Sequence, residues 1–308
     1  MLTAQPNFYL FCKSYCGDLM RVAHLVDSID KHNVDNIPLY ICVPSSDLTL
    51  FQEKIIGYKT DIRWLTDEEV VLANPRGNLS RYYSWDGRLS QQVIKSDFWR
   101  IFQSENLDIN YLCMDSESIF VRDFYVSDFM VDGSVPYTVI HQNKELLQLA
   151  ANKKIDKVIH NFKLDCAAIK KIFNRKGVDY EFGPTPTIWS SLVWKDLDIQ
   201  YFQKNNLDIW TAVELMPTEL RWYGEALLRY KTIPIYPIEP IFRVYHYDWQ
   251  YFSCKKLGDS EKTIKACYLG MLKQSNWDYA NDYGPHLHRK NIFSRVVRVM
   301  RRFLSRFR

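Results

Sequence analysis

Short hydrophobic runs alternate with amphipathic stretches in the first part of the chain. Residues 7–12 and 37–44 are compact and apolar, as buried strands are, while apolar side chains recur at helical spacing across residues 17–32. A short helix over residues 48–54 and a strand over residues 61–65 are predicted next. The pattern therefore predicts strands and helices in alternation.

The alternation continues into a helix and a strand that ends at a carboxylate. Residues 88–106 carry apolar side chains at helical spacing, and residues 111–114 form the next apolar run. Such an order favours an α/β fold with a mostly parallel sheet and helices on both faces. Ligands of these sheets bind beyond the carboxyl ends of the strands, so the residues that follow each strand are the first candidates for chemistry.

The second half of the chain has a weaker pattern. Residues 135–182 mix a strand-like stretch with a lysine-rich helical one and contain no motif that we can assign. Residues 183–194 are a turn that leads into an apolar run, and residues 217–230 begin with Pro-Thr and continue with good helix formers. Residues 233–249 are interrupted by prolines and are predicted to be extended.

Composition places the chain among folded proteins and away from secreted ones. Hydrophobic residues make up 47% and charged residues 25% of its 308 positions, which excludes wholesale disorder. The 7 cysteines include no C-x-x-C pair and predict buried, reduced thiols in a cytosolic protein. Neither a signal peptide nor an apolar run of membrane-spanning length is expected.

The stretch YLCMDSESIFVRDF, residues 111–124, holds the most specific chemical signal. Its apolar run stops at Asp115, offers a second carboxylate at Glu117 and then resumes. Residues two apart on a strand point to the same side, so the two carboxylates can converge on one ion if the strand extends that far. Hard oxygen ligands suit Mg²⁺ or Mn²⁺ that a diphosphate also holds. A solvated turn at the end of a strand is the plainer interpretation.

Residues 96–124, SDFWRIFQSENLDINYLCMDSESIFVRDF, resemble the D-x-D region of GT-A glycosyltransferases. The resemblance is greatest to bacterial polysaccharide-associated members in which a Q-Q-x-x-K helix precedes the motif, here Gln91, Gln92 and Lys95. It implies a GT-A-like, Rossmann-like domain over residues 1–284. Glu117 stands where the second Asp of the motif is usual, which leaves the dependence on metal open.

The resemblance implies the transfer of a sugar from a nucleotide-diphosphate sugar. The acceptor would be a glycan or lipid-linked glycan in the synthesis of capsule, O-antigen or lipopolysaccharide, with Mn²⁺ or Mg²⁺ at Asp115 and Glu117. His246 is the candidate third ligand, although it could equally be a histidine packed between Tyr245 and Tyr247.

Further site residues follow from the same resemblance. An inverting enzyme needs a carboxylate base, for which Glu219 and Glu225 are available, although Glu219 could merely favour the dipole of a helix start. A retaining enzyme would need no such base. Aromatic faces and hydroxyls suit sugars, but core packing also explains them. Candidate donor contacts are Ser14, Tyr15, Asp18, Gln92, Lys95 and Asp115, and candidate acceptor contacts are Trp189, Ser190, Trp222 and Tyr223.

The end of the chain is strongly basic. Residues 285–308 contain no Asp or Glu, and the net charge of +4 arises from this tail. On a helical wheel the apolar residues of 292–307 occupy one arc and the arginines the other, which predicts an amphipathic helix on an anionic membrane through residues 289–308. The protein would then lie in the cytoplasm, at the inner face of the cell membrane.

Two other functions remain open on the sequence. A nucleic-acid-binding protein could use the basic tail and exposed aromatic residues, but it would not need the D-x-E motif, and we expect no nucleic-acid partner. A metal-dependent nucleotidyltransferase also uses paired acids, yet such enzymes usually carry a glycine-rich phosphate loop, which Cys16-Gly17-Asp18 does not form.

Overall fold

The computed structural model describes residues 7–278 and Met300. The predicted tail, residues 285–308, lies outside the described residues apart from Met300. Across the described residues, no helix is both long and apolar enough to cross a membrane.

Ten strands are present in the described part of the chain. They are β1 (Phe8–Lys13), β2 (Leu39–Val43), β3 (Ile62–Thr66), β4 (Asn110–Met114), β5 (Ser118–Phe120), β6 (Thr138–Val139), β7 (Thr187–Ser190), β8 (Pro237–Ile238), β9 (Phe242–Tyr245) and β10 (Gly270–Lys273).

Helices surround these strands. They are α1 (Leu19–His32), α2 (Leu48–Lys54), α3 (Asp67–Ala73), α4 (Leu79–Ser84), α5 (Gly87–Asp97), α6 (Lys144–Asn152), α7 (Asp156–Ile172), α8 (Ser191–Leu197), α9 (Ile209–Leu215), α10 (Glu219–Tyr230), α11 (Asp248–Lys256) and α12 (Glu261–Cys267).

The main sheet has the order β3-β2-β1-β4-β7. Its first four strands are parallel, and β7 joins β4 antiparallel. A three-stranded sheet, β5-β10-β9, and the pair β6-β8 stand beside it. The expected α/β fold with a mostly parallel main sheet is confirmed, and the structure adds the antiparallel edge strand.

Alternation along the strands explains the two layers of core. Leu10 and Cys12 of β1 pack with α1 on one face, while Phe11 packs with α5 on the other. β4 repeats the pattern, since Leu112 and Tyr111 belong to opposite faces. Because both faces are covered by helices, the strands read as continuous apolar runs in the sequence.

Two segments differ from the prediction. The helix expected over residues 88–106 is α5 followed by a 3-10 run over Phe98–Glu105, which ends where Asn106 adopts a left-handed φ of 50°. Helices α3 and α4 were not predicted, because the segment is rich in charged residues and is broken by Pro75 and Gly77.

Candidate active site

A polar cavity of about 630 Å³ opens at the carboxyl ends of β1 and β4. We call it the sheet-edge cavity, and its walls come from the residues after these strands, from α5, from the start of α10 and from residues 274–276. It brings together eight of the residues predicted from the sequence: Ser14, Tyr15, Asp18, Gln92, Lys95, Asp115, Glu117 and Glu219.

Strand register explains why these residues meet. β1 and β4 are parallel neighbours, and Cys12 lies opposite Met114. Ser14 and Asp115 therefore leave the sheet at the same edge. The chain turns at once, because the Ser118 N–H donates to the Asp115 carbonyl oxygen at 3.0 Å. The strand thus ends before the motif, and a tight turn between β4 and β5 presents the two carboxylates to one cavity.

Asp115 is held by two donors. The Lys95 ammonium lies 2.5 Å from one carboxylate oxygen, and the Thr185 hydroxyl donates to the other. Burial alone would raise the pKa of Asp115, but the charge and hydrogen bond of Lys95, with Thr185, bring that pKa below its ordinary value. Asp115 is therefore a fixed carboxylate anion with lone pairs left for a further partner.

Lys95 joins Asp115 to a second acid, Glu219. Its ammonium lies 3.7 Å from the Glu219 carboxylate, and the lysine is only 4% exposed. Burial lowers the pKa of Lys95, but Asp115 and Glu219 more than offset this and raise it. Burial raises the pKa of Glu219, and Lys95 reverses only part of that shift. Glu219 thus combines access to the cavity with a raised pKa, which suits a general base.

The other candidate base, Glu225, lies elsewhere. It is 1% exposed, and both of its carboxylate oxygens accept hydrogen bonds from the Arg175 guanidinium, at 2.5 and 2.7 Å. It does not line the sheet-edge cavity. The geometry therefore gives Glu225 a structural contact between α10 and the segment that follows α7, whereas Glu219 faces the sheet-edge cavity.

Two of the three predicted metal ligands line the sheet-edge cavity, and the third does not. Asp115 and Glu117 line the sheet-edge cavity, and the Glu117 carboxylate accepts the Ser275 N–H at 2.9 Å. His246 is absent from the described lining of that cavity, but its ring hydrogen-bonds the Gln274 side chain and interacts electrostatically with Asp115. Burial lowers the pKa of His246 to about 4, so the imidazole is neutral. Among the residues the structure describes, no three His, Cys, Asp or Glu side chains form a group able to hold an ion alone.

Among the described residues that line the sheet-edge cavity, carboxylates nevertheless outnumber basic groups. An anionic diphosphate entering such a cavity requires additional positive charge. Oxygen ligands of this kind fit a divalent cation that is shared with phosphate. The acids that line the cavity are Asp18, Asp67, Asp86, Asp115, Glu117 and Glu219, and the bases are Lys13, Arg88 and Lys95.

Two buried polar atoms at the cavity have no hydrogen-bond partner within the described part of the chain. Ser14 is 3% exposed, and its hydroxyl has no hydrogen-bond partner among the described residues. The side-chain oxygen of Gln92 is in the same condition. Since an unpaired buried polar group costs roughly 1–3 kcal/mol, such atoms point to a polar ligand that completes them.

Asp18 and Tyr15 are also at the cavity. The Asp18 side chain makes no capping bond to α1, and instead accepts the Ser116 hydroxyl at 2.9 Å and pairs with Arg21 at 3.2 Å. The Tyr15 ring is 52% exposed. Asp18 thus ties the first loop to the turn that carries Asp115, rather than capping its helix.

The predicted acceptor contacts lie in the core. Trp189 and Trp222 are both 0% exposed, and Ser190 and Tyr223 are also buried. The Trp222 indole N–H donates to the carbonyl oxygens of residues 212 and 216, and the Tyr223 hydroxyl accepts the Ser190 N–H. Side chains without accessible surface cannot pack against a sugar, so the core interpretation of these residues replaces the acceptor one.

Several residues of the cavity were missed in the sequence. Lys13 pairs with Asp67 at 2.9 Å, and the Tyr82 hydroxyl donates to the same carboxylate at 2.6 Å. Lys13 directly follows the apolar run of β1, so its position was a usable signal. Thr185 and Gln274 reach the cavity from distant segments of the chain, and no local sequence pattern predicts that they line it.

Comparisons with known proteins give a family. No curated protein matches the chain. Among solved structures, the chain is similar to one described as the apo structure of WbbM, a bifunctional glycosyltransferase, with a TM-score of 0.47 and 8% sequence identity. That similarity covers 88% of this chain and 46% of the other, so the chain spans about half of that protein's length. A family model matches residues 10–253, and the protein therefore belongs to DUF6492, a family of unknown function.

Proposed function

We propose that this protein is a glycosyltransferase that moves a sugar from a nucleotide-diphosphate sugar to a glycan or lipid-linked glycan. One observation carries the proposal: Asp115, Glu117, Lys95 and Glu219 converge on a single cavity at the carboxyl edge of a parallel sheet. The sequence resemblance to the D-x-D region of GT-A enzymes points to the same chemistry.

The nucleotide sugar would occupy the sheet-edge cavity. The unpaired Ser14 hydroxyl and Gln92 oxygen supply polar contacts for it, and Lys95 supplies positive charge near the diphosphate. In an inverting transfer, Glu219 would take the proton of the acceptor hydroxyl while the acceptor oxygen bonds to the anomeric carbon. The bond from that carbon to the diphosphate oxygen breaks, and its electron pair leaves with the nucleoside diphosphate.

A divalent cation, Mn²⁺ or Mg²⁺, belongs to the proposal. Asp115 and Glu117 would hold it, and when bound it would neutralise charge on the leaving diphosphate. The excess of carboxylates over basic side chains around the cavity supports this assignment. His246 hydrogen-bonds the Gln274 side chain and interacts electrostatically with Asp115, and it stays the candidate third ligand.

The pathway and location are also part of the proposal. A basic amphipathic tail over residues 289–308 suits a protein that works on lipid-linked glycans at an anionic membrane in surface polysaccharide synthesis. Co-sedimentation with anionic vesicles tests the tail. The double variant Arg295→Glu with Arg302→Glu should abolish vesicle binding by the full chain. Unchanged binding would contradict the proposed membrane association of the tail.

Calorimetric titration tests the proposed donor site. We expect the protein to bind at least one nucleoside diphosphate sugar in Mn²⁺, and Asp115→Asn to weaken that binding tenfold or more, because the anion that holds the cation and Lys95 is lost. Asp156→Asn, at an exposed position on α7, is the matched control and should bind as the wild type does. Equal binding by wild type and Asp115→Asn would place the donor elsewhere.

A further inference from the structure

A second cavity, of about 370 Å³, adjoins the sheet-edge cavity. We call it the flanking cavity, and residues of α6, α7 and the segment before α10 line it. Thr185 and Gln274 line both cavities and form the partition between them. Thr185 is also the donor to Asp115, so the flanking cavity begins one side chain away from the proposed reaction centre.

The start of α10 forms a second part of that partition. Pro217 and Thr218 face the flanking cavity, and the next residue, Glu219, faces the sheet-edge cavity. A carboxylate at this position can reach a hydroxyl presented from the flanking side while a nucleotide sugar lies on the other. The proposed base therefore stands at the junction that a transfer between two substrates requires.

Charge in the flanking cavity is already balanced or acidic. Among its described lining residues Arg221 is the sole Lys or Arg, and its guanidinium donates to Glu181 at 2.8 Å and to the carbonyl oxygen of Tyr180 at 3.1 Å. Asp165 adds a further acid. Among the residues that the structure describes, an acidic or phosphorylated ligand would thus find no available cation in this cavity.

The remaining lining is suited to uncharged sugars. Asn143 and Asn161 carry amides, Thr218 carries a hydroxyl, and Tyr247 offers a half-exposed ring. Amides and hydroxyls bond to sugar hydroxyls, and aromatic faces pack on the C–H faces of sugars.

The space continues beyond one sugar. Pro184 and His246 line both the flanking cavity and a third, outer cavity of about 490 Å³. Among the described residues of the outer cavity, the basic Lys144 and Arg243 are matched by the acidic Glu145 and Glu239. Adjoining cavities of about 370 and 490 Å³ suit an oligosaccharide rather than a single sugar.

We propose that the flanking cavity, with the outer cavity beyond it, binds the acceptor, and that this acceptor is an oligosaccharide of uncharged sugars whose reactive hydroxyl faces Glu219. The inference rests on the proposed glycosyltransferase function, since it assigns the second substrate of that reaction. The flanking cavity takes the place of the predicted acceptor contacts that are buried in the core, Trp189, Ser190, Trp222 and Tyr223.

The test is an oligosaccharide array that presents neutral di- to hexasaccharides beside sialylated, sulfated and phosphorylated counterparts. The full-length protein is applied with and without nucleoside diphosphate. Leu147→Trp fills the flanking cavity from α6, and Leu164→Trp, at an exposed position on α7, is the matched control. Donor binding by all three proteins is measured in parallel by calorimetry.

We expect binding to members of the neutral series, a loss of tenfold or more in Leu147→Trp, and no change in Leu164→Trp or in the donor affinity of either variant. Donor binding without any neutral oligosaccharide binding overturns the inference and leaves the proposed function standing. Preference for the charged series, or equal binding by Leu147→Trp, overturns it too. Failure of the wild type to bind any donor contradicts the proposed function itself.

Discussion

At the residue scale, the site depends on a few side chains with contrasting environments. Asp115 is fixed as an anion by Lys95 and Thr185, whereas Glu219 is pushed towards its neutral form by burial. Two carboxylates in one cavity thus have opposite pKa shifts, which is the arrangement expected when one acid binds and the other transfers a proton.

Ser14→Ala should separate stability from function. Because the Ser14 hydroxyl is buried without a partner among the described residues, we expect its removal to keep or raise the free energy of unfolding. Donor affinity should fall about three- to tenfold, because a hydrogen bond to the ligand is lost. Chemical denaturation and calorimetry measure the two quantities.

Ser28→Ala is the control for that comparison. The Ser28 hydroxyl donates to the Leu25 carbonyl oxygen at 2.7 Å and accepts the Phe120 N–H at 3.1 Å. Its removal should lower stability and leave donor affinity unchanged. If Ser14→Ala behaves as Ser28→Ala does, the hydroxyl of Ser14 has a structural role and no ligand.

Glu219→Gln should change the pH dependence of the reaction. The active form of a base is the carboxylate, so activity falls as pH drops through its pKa, and burial places that pKa above the ordinary value of 4.5. We expect the acidic limb of kcat/KM to lie above that value in the wild type, and Glu219→Gln to lower kcat by roughly 10²–10⁴-fold. Donor affinity should change little. A wild-type limb at or below 4.5, or a variant with normal kcat, would contradict the role of base.

At the element scale, α10 connects the site to the core. Its first residue, Glu219, faces the cavity, and Gly224 lets the helix approach the loop before Thr185, because a Cβ there would lie 2.0 Å from the Phe182 ring. Further along, Glu225 pairs with Arg175, which lies three residues after the end of α7. The Glu225–Arg175 pair therefore anchors the helix whose first residue faces the sheet-edge cavity.

Glu225→Gln should act on stability alone. The substitution removes charge-assisted hydrogen bonds between the buried Glu225 and the partly buried Arg175, and we expect the free energy of unfolding to fall by roughly 1.5–3 kcal/mol. Below the unfolding temperature kcat should stay within about twofold of the wild type. The double variant Glu225→Leu with Arg175→Met should recover most of the loss, because neither charge remains. A large loss of kcat without loss of stability would contradict this structural role and support Glu225 as the catalytic base.

Helices and strands with a regular spacing of apolar residues could be predicted from the sequence, and those without such a spacing could not. β1 and β4 are continuous apolar runs, and α1 has apolar residues at helical spacing, so the pattern alone located them. α3 was missed although Thr66 and Glu69 form a capping box that the sequence displays. A sequence does not distinguish a core Trp from a sugar-binding Trp. Trp189 and Trp222 were therefore candidate acceptor contacts, whereas both are buried in the core.

At the scale of the whole molecule, the site is assembled from distant parts of the chain. Asp115 lies 20 residues from Lys95 and 70 residues from Thr185, and Glu117 bonds a backbone group 158 residues away. The sheet order brings β1 and β4 side by side, so the residues after these strands could be expected to meet. The partition formed by Thr185 and Gln274 depends on tertiary packing and leaves no trace in the local pattern.

The proposed glycosyltransferase activity is tested most directly with a panel of nucleotide sugars. Each is incubated with the purified full-length protein in Mn²⁺ and scored for release of nucleoside diphosphate. Asp115→Ala and a chelator serve as negative controls, and Asp156→Asn serves as the matched positive control. We expect release from one donor or a narrow set of donors. That release should be lost in Asp115→Ala and on chelation, and kept in Asp156→Asn. Release that Asp115→Ala leaves unchanged, or no release from any donor together with no donor binding, would contradict the proposed activity.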